Sequence, residues 1–315
     1  MTMLSRVAEN IYWMARYMER AEDTARLVNV TTHLVLDLPK KVSFDWETLV
    51  DITGYSEIFR EHYEVADDRN LVRFLVGDAL NPGSVIGSLD NARENARTIR
   101  DIIPREAWEQ INNLHLKCKG NLQSGLSRRG RYDYLRWTIL GVQTITGMLA
   151  GTMTHDAGYD FLRMGRNLER ADMTTRIIDV RSVNLLAEKS VDLVPFENIQ
   201  WMSVLKSLTG YQMYRRAMQV RVRRPDVLKF LFQDQRFPRS FYHSLCEVAS
   251  CLQDLPHNDA PLRQVAQLQR MVLDAKPERL DQAELHQFID ELQAQLAGVH
   301  DQIAATYFGV AVPAA

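Results

Sequence analysis

The groups best placed to do chemistry in this chain are carboxylates and guanidiniums gathered into two short stretches. Residues 14–30 read MARYMERAEDTARLVNV and carry Arg16, Glu19, Arg20, Glu22 and Arg26. Residues 164–180 read MGRNLERADMTTRIIDV and carry Arg166, Glu169, Arg170, Asp172 and Arg176. At helical spacing the charges of the first stretch, with Asp23, fall within an arc of about 160°. Tyr12 and Leu27 project from the same arc, so a partly buried helix whose charges are paired is the expected geometry. Four chemistries are open to such a cluster. Ion pairs exchanged between the two stretches, with Glu19 meeting an arginine of the second and Glu169 one of the first, would lock them together. Stranding one member of a buried pair costs about 3–5 kcal/mol. Within one helix, Arg16–Glu19 and Glu22–Arg26 spacings also allow contacts worth a few tenths of a kcal/mol each. The arginine excess suits a site that grips a carboxylate or phosphate through bidentate forks. Glu19 and Glu169 could act as acid or base, although arginine neighbours draw a carboxylate pKa away from neutrality. Finally, Glu19–Glu22 and Glu169–Asp172 have the spacing of half a dimetal site, but no Glu-x-x-His accompanies them. No metal is expected.

Elsewhere the chemistry is sparse. The eight histidines form no helix-spaced metal pair, and no phosphate loop, dinucleotide fingerprint or nucleophile elbow occurs; no cofactor is called for. Cys118, Cys246 and Cys251 make neither a disulfide framework nor a metal set, as fits a reducing cytoplasm. Asp156 reads as a helix cap. Arg128-Arg129-Gly130-Arg131 reads as a solvated basic turn. Asn81-Pro82-Gly83 is a turn signal with Ser84 as the next N-cap. The charged helix beyond it carries Arg93, Glu94, Asn95 and Arg97, and with Asn81 these form a candidate partner-binding patch.

The elements that must position these residues are helices. Glycine and proline are few, at 15 and 10, and apolar residues recur at three and four rather than two. Helices are expected from Ser5, as N-cap, to a stop at Pro39, and then near 46–54, 57–65, 71–80, 84–103, 105–127, 131–153 and 156–188. The two signature stretches match at an offset of 150: Met14/Met164, Arg16/Arg166, Glu19/Glu169, Arg20/Arg170, Ala21/Ala171, Thr24/Thr174 and Arg26/Arg176. The echo continues near offset 156, with Thr53-Gly54-Tyr55 recurring as Thr209-Gly210-Tyr211 and Asp78, Pro82 and Ser84 as Asp234, Pro238 and Ser240. Two tandem, diverged repeats, of about 3–150 and 151–308, follow. The expected fold is an all-α helical bundle in which they pack about a pseudo-two-fold axis. The second repeat replaces the arginines of 91–97 with Glu247-Val248-Ala249-Ser250-Cys251-Leu252-Gln253, so any patch there is single.

A net charge of −2 supplies no field for nucleic acid or anionic membrane, and no apolar run is long enough to span a bilayer. Neither is expected as a partner. All but eight of the 38 basic residues are arginine, which suits ordered pairing or an anion site, and equally suits a GC-rich genome.

Met18-Glu19-Arg20-Ala21-Glu22, Asn81-Pro82-Gly83-Ser84, the stretch 92–97 and Gly165-Arg166-Asn167-Leu168-Glu169-Arg170-Ala171 together resemble the Alpha-E family of bacterial all-helical proteins. The resemblance spans nearly the whole chain. It implies company: a circularly permuted ATP-grasp protein, and in many cases a transglutaminase-like protein, in a system that forms or processes amide bonds. It carries over no catalytic residue. The expected role is therefore a helical accessory or scaffold for that ligase. The alternatives are an enzyme of the same pathway with a Glu/Arg-lined pocket between the repeats, or an anion-binding module.

Overall fold

The computed structural model describes residues 4–37, 46–182 and 194–309. Among these residues there are fifteen α-helices, a single 3-10 turn at Pro277–Arg279 and no strand. The central pair is α1 (Ser5–Asp37) and α9 (Ala157–Ser182). Helix α1 is amphipathic by spacing: Ala8, Ile11, Met14, Ala15, Met18, Ala21, Ala25 and Val28 are all buried, at intervals of one, three or four residues. As for most helices in proteins, burial of that stripe rather than intrinsic propensity supplies most of its stability. Helix α9 starts where Asp156 Oδ1 accepts from the backbone N–H groups of Gly158 and Tyr159, the cap expected there.

Around this pair the other helices form two similar sets. α5 (Val85–Thr98) packs on α1 and on α6 (Arg105–Gly120), and α6 in turn on α8 (Arg131–Thr152), which also touches α1. α13 (Phe241–Gln253) packs on α9 and on α14 (Asp259–Asp274), and α14 on α15 (Gln282–Tyr307), which also touches α9. The shorter helices cross over: α2 (Glu47–Thr53) lies against α9, whereas α10 (Val194–Ser207) lies against α1. Among the small helices, α3 (Ser56–His62) packs on α2, α4 (Asp68–Gly77) on α1 and α5, and α7 (Leu122–Leu126) on α4 and α8, while α12 (Arg224–Gln233) packs on α10 and α13 and α11 (Tyr211–Met218) on α10 and α12. One apolar cluster runs through both sets, from Ala8 to Phe308.

Some boundaries differ from those read along the chain. Leu4, not Ser5, precedes the first helical residue, and its carbonyl accepts from Val7 and Ala8. The expected helix 105–127 breaks at Asn121 into α6 and α7, because Asn121 caps the last turn of α6 with its own amide and Nδ2, both bonded to the Lys117 carbonyl. α5 ends at Thr98 rather than 103. The stop at Pro39 and the stretch 183–188 of the long helix lie outside the described residues.

α1 and α9 meet closely. A Cβ built on Gly165 would sit 2.2 Å from the Tyr12 carbonyl oxygen, so only glycine permits this approach. Gly147, on the exposed face of α8, has nothing within 4 Å of such a Cβ. Gly165→Ala should therefore lose about 1–3 kcal/mol of stability by overpacking. Gly147→Ala should gain about 0.5–1 kcal/mol from helix propensity. Urea unfolding of the two variants measures both signs.

Candidate functional site: a buried guanidinium–carboxylate network

The signature charges of α1 and α9 face each other across the helix pair and exchange partners. Glu169, 1 % exposed, receives Arg16 Nε at 2.8 Å on one oxygen and the fork of Arg20 on both, with Arg20 Nη2 at 3.0 Å. Glu19, also 1 % exposed, receives the fork of Arg170, with Nε at 2.7 Å and Nη2 at 3.0 Å. Such bidentate pairs fix geometry as well as charge. Two further pairs stay within a helix at i,i+4: Arg26 Nε to Glu22 Oε1 at 2.8 Å, and Arg176 Nε to Asp172 Oδ2 at 2.7 Å.

One arginine outside both signatures completes the network. Arg239 sits in the turn before α13 and is buried to 7 % exposure. It reaches Asp23 Oδ1 at 2.5 Å through Nη1, and Glu22 Oε1 at 2.8 Å and Glu19 Oε1 at 3.0 Å through Nη2. Its turn is built like the turn before α5. Ser84 Oγ donates to the Asp78 carbonyl and accepts from Gly87 N–H, while Ser240 Oγ donates to the Asp234 carbonyl and accepts from His243 N–H. Each turn is also tied to a signature threonine: Thr24 Oγ1 donates to the Gly83 carbonyl and Thr174 Oγ1 to the Arg239 carbonyl. The signal that could have found Arg239 was present in the sequence. The matched segments Pro82-Gly83-Ser84 and Pro238-Arg239-Ser240 differ by one charge.

Electrostatics follow from burial and from this wiring. Burial pushes Glu169 toward the neutral form, but Arg20 and Arg16 outweigh it and hold the carboxyl down to about 2. Glu19 behaves alike: burial opposes, Arg170 and Arg239 win, and its pKa also falls to about 2. Asp23 goes the other way. Burial raises it to about 7 against the pull of Arg239, with Glu19 and Glu22 adding to the rise, and its Oδ2 is buried without a hydrogen bond. Three acids sharing one guanidinium explain the difference.

The structure redraws several sequence-level expectations. Arg16 does not pair with Glu19 along its own helix; it crosses to Glu169 and lies 5.0 Å from the centre of the Trp13 ring. Arg166, its counterpart, makes no ion pair among the described residues, and its Nε is buried without a partner; Arg239 occupies Glu19 instead. Burial and the neighbouring Arg170 lower the Arg166 pKa. Asn81 is not part of a surface patch. It is wholly buried, its Nδ2 donating to the Phe74 carbonyl and its Oδ1 accepting from Gly83 N–H. Arg93, Glu94 and Arg97 do form one charged surface on α5, with Arg93 Nη1 to Glu94 at 2.6 Å, Arg97 Nε to Glu94 at 2.8 Å and Arg93 Nε to Asn112 at 2.8 Å. Asn95 lies half-buried beside them. Arg131 is not a solvated turn residue, since it is 3 % exposed and grips Asp68 at 2.7 Å. Among the described residues no group of three or more His, Cys, Asp or Glu is placed to hold a metal ion, and no helix is long and apolar enough to cross a membrane.

The chain belongs to the Alpha-E family, described as a predicted alpha-helical domain with a conserved ER motif, whose model matches residues 3–308. The chain is similar to an uncharacterised protein of Mycobacterium bovis and to one of Mycobacterium tuberculosis, each 25 % identical over 316 residues. Each match covers 94 % of this chain and 35 % of the relative. The chain thus spans about a third of the length of the curated relatives it matches. No solved structure matches it.

Two outcomes follow from the network. Arg239→Met leaves Glu19, Glu22 and Asp23 crowded without their shared cation and should cost about 3–5 kcal/mol in urea unfolding at neutral pH. The second concerns pH. Because the folded pKa of Asp23 lies above the ordinary aspartate value of about 4, its contribution favours the fold fully below that value and is lost as pH rises through about 7. The stability of the wild type relative to Asp23→Asn should therefore fall between pH 4 and pH 8. Glu19 and Glu169 act oppositely, their contribution being lost only as pH drops toward about 2. Urea titrations of both proteins at pH 4, 6 and 8 check the sign.

Proposed function

We propose that this protein is a non-catalytic helical scaffold made of two copies of one unit, about 3–150 and 151–308, joined about a pseudo-two-fold axis. It serves as the accessory of a circularly permuted ATP-grasp ligase in a system that makes or processes amide bonds, with a transglutaminase-like protein as a second partner. The observation that carries this reading is the state of the Glu-Arg signature. Both glutamates are sealed from solvent and bonded to two arginines each. A carboxylate held ionised in that way is poorly matched to proton transfer at neutral pH, so the signature works as an interlock. The duplicated serine-capped turns, the matched packing of α5 on α1 and α13 on α9, and the crosswise seating of α2 and α10 support the two-fold arrangement. The far greater length of the relatives supports a module that works beside other modules.

The face offered to a partner is the α5 surface of Arg93, Glu94 and Arg97. Its counterpart on α13 carries Ala249, Ser250 and Gln253, so one scaffold would present one such face. Both arginines stand at the surface, with side chains 28 % and 57 % exposed, and their substitution leaves the core untouched.

Affinity-tagged chain co-expressed with the ATP-grasp protein tests the reading. The wild type should retain the ligase, and Arg93→Glu/Arg97→Glu should release it while melting within about 1 kcal/mol of the wild type, as surface changes do. A wild type that retains no ligase contradicts the partnership. The alternative of catalysis by the signature is separated by Glu19→Gln. A scaffold loses stability on this change, whereas an enzyme loses turnover at unchanged stability.

A further inference from the structure

The outer face of α8 carries a pattern that the described residues leave uncovered. Asp133, Trp137, Leu140, Thr144, Gly147 and Gly151 recur at alternating steps of four and three, and all six are exposed. That is the heptad spacing of a seam made to meet another helix. Trp137 and Leu140 stand 38 % and 48 % exposed. With α6 they border an open groove of about 270 Å³, whose other wall includes Gln110, Asn113 and Lys117. α15, the counterpart of α8 in the second set, exposes Gln287, Asp290, Glu291, Ala294 and Ala297 instead. The seam is therefore single.

Two properties change along this face, and both reverse at its middle. The first is bulk. Trp137 and Leu140 lie toward the N-terminal end, whereas Thr144, Gly147 and Gly151 lie toward the C-terminal end, and a Cβ on either glycine would meet nothing within 4 Å. The second is charge. α6 runs antiparallel to α8 beside the seam: Lys117 Nζ lies 4.3 Å from the centre of the Trp137 ring, Cys118 Sγ lies 3.5 Å from Thr138 Oγ1, and Leu114 abuts Gly141. On these two helices one end gathers the exposed Lys117, Lys119 and Arg136 with a lone acid, Asp133. The other gathers the exposed Glu106 and Glu109 with a lone cation, Arg105. Arg105 bonds Glu109 at 2.9 Å with both side chains exposed, a pair that contributes little. With every one of these charges counted, the two ends keep opposite signs.

An antiparallel second copy answers both reversals. About a two-fold axis level with Val142, which α6 passes at Asn113, Trp137 of each chain falls opposite Gly147 of the other. Leu140 falls opposite Thr144, and Lys117 opposite Glu109. A parallel pair would set Trp137 on Trp137 and like charge on like charge.

We propose that this face forms an isologous dimer, with α8 packed antiparallel on α8 of a second copy and the basic end of each seated on the acidic end of the other. One such seam per chain closes a pair and leaves nothing to extend it. The inference is independent of the ligase: a failed pull-down would leave it standing, and a monomeric chain would leave the partnership standing.

Sedimentation equilibrium of the full chain across a wide range of concentration tests it. The mass should rise reversibly from that of one chain toward that of two. Gly147→Leu adds a side chain where its own chain has open space, so thermal melting followed by circular dichroism should show the fold kept. The dimer dissociation constant should nevertheless rise about tenfold, because the new side chain meets Trp137 of the second copy. Lys117→Glu and Glu109→Lys should each weaken the pair about tenfold at low salt. An equal mixture of these two variants should recover the wild-type affinity, since each supplies the charge the other lacks. The gain in stability expected of Gly147→Ala belongs to the separated chain and is measured below the dissociation concentration. A chain that stays monomeric throughout, a dimer indifferent to Gly147→Leu, or a mixture no tighter than its components would each overturn the proposal.

Discussion

The structure depends on a reciprocal exchange of charge between α1 and α9. Each helix contributes a glutamate that meets an arginine fork of the other, because its own nearby arginines point across the interface. Removing two carboxylates and their guanidiniums from water costs several kcal/mol per ion before any pairing is counted. That cost is offset only if the forks meet the carboxylates squarely and most lone pairs are used, as they are at Glu19 and Glu169. An arrangement of this kind tolerates no slip along the helix. A shift by one residue would turn Glu169 from the Arg16 and Arg20 side chains and leave it buried with no cation. The glycine contact at Tyr12 and Gly165 enforces the same register by sterics. Charge and close packing therefore specify one alignment together.

From that alignment the rest of the body follows. Once α1 and α9 are fixed, their apolar stripes accept α5 and α13, and the serine-capped turns before those helices come to lie beside Thr24 and Thr174. The turns bring residues of each outer set into reach of the central acids. Arg239 uses that reach and Gly83 does not. Gly83 has no side chain to extend, and Met173 stands where Asp23 does on the other helix, so the α9 acids have no counterpart of the Arg239 contact. Asp23 and Arg239 occur together on the α1 side, the carboxyl accepting from Arg239 Nη1 although burial and the neighbouring Glu19 and Glu22 raise its pKa.

How much of this could be read from the chain varied with the kind of interaction. The central helices were legible because apolar spacing and matched charges point to the same faces, and both signals are local. That Glu19 and Glu169 meet arginines of the opposite stretch was legible too, since intrahelical pairs on an exposed face are too weak to account for the same pattern in two places. Arg239 was not found, because it sits in a turn and its contacts span more than two hundred positions; only comparing the matched turns would have raised it. Asn81 was misread for a related reason. A turn signal does not say whether the turn is wet, and this one is buried against α4 and α1. Arg131 was misplaced in the same way, its neighbour Asp68 being invisible at that separation. The break at Asn121 shows the limit of periodicity, which continued through a residue that ends the helix by capping it.

The account's central claim is that Glu19 and Arg170 stabilise the fold chiefly through each other. A double-mutant cycle of Glu19→Gln and Arg170→Gln, followed by urea unfolding at pH 7, measures that coupling directly. The account predicts an interaction of about 2–3 kcal/mol, the upper range for contacting residues in one network. A coupling within about 0.5 kcal/mol of zero, with each single variant barely less stable than the wild type, would contradict it.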